Sequence, residues 1–167
     1  MKFINSFKKK SYLLSLFIII FLLILFFPLH FFIIDDGTSG IPIYSGLVSA
    51  GDLFEIRYIH SVEHMNVRGI FLINAHYKIE PIETIFPSYG AGMPFIVQKK
   101  DFFYKNGMMK IKHHDIELNN LRIFVSHITK QRIFFKNIQI ELYKRIKDGG
   151  IAIITVKLRP LLFGLFY

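Results

Sequence analysis

The sequence predicts an all-β fold, a small sandwich or barrel of about 8–10 short antiparallel strands, preceded by one N-terminal transmembrane helix. Three observations carry that reading. Apolar and polar residues alternate with a period of two along several short runs from Asp52 onward. Turn-forming residues separate those runs roughly every 10 to 15 positions, with no long amphipathic helical pattern between them. Ahead of them, residues 12–34 (YLLSLFIIIFLLILFFPLHFFII) contain no Asp, Glu, Lys or Arg.

That apolar run is longer than the roughly 20 residues that cross a bilayer as a helix. Lys2, Lys8, Lys9 and Lys10 precede it, and Asp35 and Asp36 follow it. The positive-inside rule makes residues 1–11 a cytoplasmic basic segment and places the chain beyond the run on the other side of a cell membrane. The run exceeds the core of a signal peptide and no small-residue cleavage site follows it, so a single-pass anchor, or an uncleaved signal, is expected over 12–34. Residues 35–45, with DDGTSG, then read as a linker, and residues 46–167 as an extracytoplasmic β-domain.

The chain has no Cys, which excludes disulfides, thiolate metal sites and lipid attachment through a cysteine. Its 21 Lys+Arg against 12 Asp+Glu give a net charge of +9 over 167 residues. Four of the lysines precede the apolar run, so the exported part keeps a positive balance suited to anionic lipid or carboxylate solutes. Nucleic acid is not an expected partner on that side of a membrane.

Within the domain, LFEIRYIHSV (53–62) places Phe54, Ile56, Tyr58 and His60 on one face, and Leu53, Glu55, Arg57, Ile59 and Ser61 on the other. VRGIFLIN (67–74) follows, then a strand over 77–86 in which Pro81 marks an edge or a bulge. Asn106-Gly107 is a two-residue hairpin signal, and Asn119-Asn120 predicts another hairpin. Residues 133–146 read as one strand, and Asp148-Gly149-Gly150 turns it into IAIITVKL (151–158). The terminal LLFGLFY (161–167) reads as a last strand or a contact with the membrane surface.

His60-Ser61-Val62-Glu63-His64 spells H-x-x-E-H, the zinc string of the inverted zinc peptidases. In those enzymes the two histidines stand one helical turn apart on a helix, whereas here the residues up to His60 have strand periodicity and His64 falls in a chain reversal. Glu141, a conceivable third ligand, lies in an alternating segment. A serine hydrolase built from Ser61 or Ser88 with His60 or His127 lacks a G-x-S-x-G elbow, and adjacent strand residues such as His60 and Ser61 point to opposite faces. SYGAGMP (88–94) has the glycines of an anion-binding backbone nest or of a tight turn over the sheet. His76 and His113-His114 read as surface residues. No catalytic residue, metal site or cofactor is expected.

IRYIHSVEHMNVRGIF and IETIFPSYGAGMP, about 25 residues apart, together resemble an uncharacterised bacterial domain family, the domain of unknown function numbered eighteen-fifty. Its pattern falls on His60, Ser61, Val62, Glu63 and Val67, then on Ser88, Gly90, Ala91, Gly92 and Pro94. Arg68-Gly69 stands where members usually carry an acidic residue, and His64 is no part of the pattern. The resemblance implies a small exported or membrane-anchored protein of the kind encoded beside TAXI-type TRAP transporters. It further implies a non-catalytic accessory to uptake, with TRAP membrane subunits or the solute receptor as partners. On this reading His60, Ser61, Glu63, Ser88, Tyr89, Gly90 and Gly92 bind a ligand or partner, clustered at one end of the sheet. The alternative is an independent domain that binds a small organic anion or a metal ion; an exported zinc or serine hydrolase is the remote one.

Overall fold

The computed structural model describes residues 2–87, 101–105 and 107–164. Its first element is helix α1 (Lys2–Leu25), which ends where the chain meets Phe26-Phe27-Pro28. The residue before a proline is driven out of the helical region, and proline has no N–H to continue the ladder. The last turn closes with Phe26 N–H donating to Leu22 C=O at 3.0 Å and Phe27 N–H to Ile24 C=O at 3.2 Å. Pro28 then opens strand β1 (Pro28–Asp36), a position a strand tolerates because no ladder bond precedes it.

This corrects the expected boundary. The apolar run 12–34 is two elements, a helix and a strand, and the domain starts at Pro28. The residues expected as a linker form the β1–β2 hairpin, β2 being Pro42–Leu47. Its turn is held by the Asp36 carboxylate, which accepts from Thr38 N–H at 2.9 Å and Ser39 Oγ at 2.8 Å.

Nine more strands follow: β3 (Leu53–Ile59), β4 (Asn66–Ile73), β5 (Ile79–Phe86), β6 (Phe102–Lys105), β7 (Met108–Lys112), β8 (Asn120–Phe124), β9 (Arg132–Phe135), β10 (Ile138–Glu141) and β11 (Ile151–Pro160). They make two antiparallel sheets, a four-stranded one in the order β2-β1-β11-β8 and a seven-stranded one in the order β10-β9-β3-β4-β5-β7-β6. The all-β expectation holds, with 11 strands among the described residues.

The sheets pack face to face. From the smaller come Phe32, Ile34, Ala152 and Ile154; from the larger, Phe54, Ile56, Ile133 and Phe135, all buried in one cluster. Phe32 sits among aromatic rings, 4.5 Å from Phe135 and 4.9 Å from Phe54 between centroids. Burying such a side chain is worth roughly 1.5–3 kcal/mol. The outer side of β1 is covered too: Phe31 is buried, and the single helical turn α2 (Leu161–Gly164) folds over it. A Cβ on Gly164 would lie 2.0 Å from Phe31 Cε1, so only glycine allows that approach. The C-terminal run was expected as a strand or a membrane contact; its described part is this helical turn.

Several local expectations hold. Lys105 pairs with Met108, so the β6–β7 connection has two residues, with Gly107 at φ +74°. Pro81 lies at a register shift between β4 and β5, a bulge in an interior strand. Two expectations fail. Asn119-Asn120 makes no hairpin, because there the chain leaves the larger sheet, where Leu118 bridges Ile79, and enters β8 of the smaller one. The run 133–146 is not one strand: it reverses at Lys136-Asn137, Lys136 taking φ +52°, so that Ile138 pairs with Phe135.

Candidate functional site

The HSVEHM segment closes the β3–β4 hairpin. His60 N–H donates to Met65 C=O at 2.8 Å, and His64 N–H donates to His60 C=O at 2.9 Å. His64 has φ +52°, a left-handed conformation that reverses the chain. His60 is half-buried, with Nδ1 accepting from Glu63 N–H at 3.3 Å, which leaves a neutral ring's proton on Nε2. Ser61 and Glu63 are exposed in the turn. The H-x-x-E-H string therefore folds as a strand end and a tight reversal, not as a helix. Among the described residues no group of three or more His, Asp or Glu is placed to hold a metal ion. Ser88, Tyr89, Gly90 and Gly92, the other half of the expected cluster, lie outside the described residues.

The remaining histidines divide. His76 is exposed beside Glu117 at 3.4 Å, and His114 beside Asp101 at 3.2 Å. His113, expected at the surface, is half-buried with Nε2 2.9 Å from Thr84 Oγ1. Burial, and then the neighbouring His114 charge, hold its pKa below the usual histidine value.

Beside the HSVEHM turn, on the outer face of the larger sheet, lies a cleft of about 730 Å³. Ile59 and Asn66, which bracket the turn, both line it. So do Arg57, Arg68, Lys110, Lys130 and Arg132, with Ile85, Met108 and Phe134, while no carboxylate lines it among the described residues. The cations meet because of register. Arg132 on β9 pairs with Arg57 on β3, Arg57 with Arg68 on β4, Arg68 with Ile85 on β5, and Ile85 with Lys110 on β7. One row across five adjacent strands carries three arginines side by side.

Like charges directly opposite each other destabilise a sheet, so the row needs compensation. Glu55, two residues along β3 on the same face, supplies it. Its Oε2 accepts from Arg57 Nε at 2.9 Å, Arg57 Nη2 at 2.7 Å and Arg68 Nε at 2.8 Å, and Oε1 accepts from Arg68 Nη2. Burial pushes the Glu55 carboxyl up, and the hydrogen bonds and charges of Arg68 and Arg57 outweigh that and hold it below the usual glutamate range. The Arg57 guanidinium also stacks on Phe134, 4.1 Å from the ring centroid. Arg132 Nε stands 3.5 Å from Glu141 Oε1 but is buried without a hydrogen-bond partner among the described residues. Lys110 reaches Glu83 at 3.4 Å.

Lys130 comes from a different device. The turn after β8 is stapled by Gln131, the buried polar residue of the core. Its Oε1 accepts from Ser126 N–H at 3.0 Å, while Nε2 donates to Phe124 C=O at 2.8 Å and to Thr129 Oγ1. Thr129 C=O in turn accepts from Ile59 N–H at 2.7 Å, tying this turn to the end of β3. Lys130 follows at φ +47° and enters the cleft.

Sequence reasoning placed Glu55 and Arg57 on one outward face but missed the cleft, whose cations lie far apart in the chain. The only hint was Arg68-Gly69, where an acidic residue was expected.

Residues 54–142 match the model of a family described as domain of unknown function (DUF1850), 89 positions from 54 through 142 and more than half of the chain. The chain belongs to the DUF1850 family. No curated protein and no solved structure matches it. The DUF1850 match runs from β3 through β10 and so contains the HSVEHM turn and all five cations of the cleft. Strands β1, β2 and β11, most of the smaller sheet, lie outside it.

Proposed function

We propose that this chain is a membrane-anchored, extracytoplasmic, non-catalytic domain that binds an organic anion in the cationic cleft, as an accessory to solute uptake by a TRAP-type transporter. The observation that carries the binding role is the lining of the cleft: five cations, three of them in one cross-strand row, and no carboxylate among the described residues. Arginine forks and lysine charges suit carboxylate and phosphate groups. A cleft of about 730 Å³ is of small-molecule size. On this reading His60, Ser61 and Glu63, in the HSVEHM turn beside the cleft, meet a partner that docks over a bound anion. The TRAP setting rests on the resemblance described above.

The anchor reading is supported by the exposure of α1. Every side chain from Tyr12 through Ile24 is exposed, a large apolar surface that the domain does not cover. Among the described residues no helix is long and apolar enough to cross a membrane.

The test is calorimetric titration of the full chain in detergent with a panel of organic acids, against the Arg57→Ala and Arg132→Ala variants. Saturable binding that either variant weakens is expected. A folded protein that binds no member of the panel sinks the proposal. Membrane attachment is checked separately by alkaline extraction, in which the chain is expected to stay with the lipid pellet.

A further inference from the structure

The cations of the cleft are not one patch. Arg132, Arg57 and Arg68 occupy adjacent strands, then Ile85 interrupts the row, and Lys110 stands beyond it. Strands lie about 4.8 Å apart, which puts Lys110 about 9.6 Å from Arg68 along the row, with an apolar side chain between them. Ile59 and Met108 add further apolar side chains to the lining.

The charge count sharpens this. Five cations line the cleft, and the carboxylates paired with them are Glu55, Glu83 and Glu141, the last shared with Lys144. Among the described residues the surplus on the lining is two positive charges. Glu55 already takes the Nε and Nη2 donors of Arg57 and Arg68, so a ligand meets their Nη1 donors together with Arg132 and Lys130. Among the described residues Lys110 is held by one longer contact of 3.4 Å and keeps donors to spare.

We infer that the cleft takes a two-ended dianion with an apolar spacer, one acid group on the arginine row with Lys130 and the other on Lys110. This deepens the anion-binding reading and rests on it. A single acid group engages one pole and leaves one surplus charge unmet. A compact dianion such as inorganic phosphate neutralises the charge but cannot span Ile85.

The experiment is calorimetric titration of the full chain in detergent with acetate, inorganic phosphate, malonate, succinate, glutarate, adipate and suberate. The expected result is an optimum at one diacid length, about ten-fold or more tighter than acetate or phosphate. Lys110→Gln is expected to reduce that diacid to the level of acetate; the Lys110 side chain is partly exposed, and a thermal melt confirms folding. Lys130→Gln weakens both. Diacids that bind no better than acetate overturn the two-ended mode and leave anion binding standing. Phosphate as the tightest ligand also overturns it, in favour of a compact dianion. No binding by any probe overturns both readings.

Discussion

Arg57 and Arg68 are directly paired across β3 and β4, and a single carboxylate, Glu55, is hydrogen-bonded to both. That one residue makes the arginine row compatible with a folded sheet. Glu55→Gln removes the charge and keeps the shape. The variant is expected to lose about 1 kcal/mol of stability, a modest figure because both guanidiniums are partly solvated and screened. Urea unfolding in detergent micelles measures it, and the loss should shrink in high salt.

The same carboxylate sets an acid dependence. Its folded-state pKa lies below the usual glutamate range, so its contribution is fully present above that range and disappears as pH falls through the folded value. The stability gap between wild type and Glu55→Gln should therefore be constant near neutrality and close on acidification. A gap that widens at low pH contradicts the assignment.

Phe32 tests the division of the apolar run. If residues 28–36 form a core strand, Phe32→Ala opens a cavity between the sheets and costs about 3–5 kcal/mol. Phe17→Ala, on the exposed helix, is expected to change domain stability by about 0.5 kcal/mol or less. Were both residues in one membrane helix, the two substitutions would act alike on it and neither would unfold the domain.

Gly164 and Phe31 form a second pair whose coupling is measurable. Gly164→Ala drives a methyl into the Phe31 ring and is expected to cost about 1–3 kcal/mol. In a Phe31→Ala background the same substitution should be nearly silent. Additive effects across that double-mutant cycle would show that α2 does not pack on β1.

The strands were legible wherever alternation and turn chemistry agreed. Leu53–Ile59 and Asn66–Ile73 follow their apolar residues, and Gly107 closes its hairpin as the Asn-Gly pair requires. What escaped was of two kinds. In residues 12–34 both elements are uniformly apolar, so periodicity carries no signal and only Pro28 marks the break. In 133–146 the reversal uses Lys136 in a left-handed conformation, for which a lysine gives no warning. The HSVEHM turn is legible because a strand pattern and a helical metal string are incompatible on one backbone. The cleft was invisible for a different reason: Arg57, Arg68, Lys110 and Arg132 become neighbours only through the register of β9, β3, β4, β5 and β7.

The placement of β1 bears on how the chain reaches this state. Its neighbours are β2, a local hairpin partner, and β11, so that Pro28 pairs with Pro160 and Phe31 with Lys157. The second edge of β1 thus waits for β11, which is synthesised much later. Contacts of such sequence separation slow folding, and until they form an apolar edge stays open to other chains. A nascent chain of this protein is most vulnerable to aggregation before residues 151–160 arrive, and the completion of β11 is the step that commits it to the sandwich.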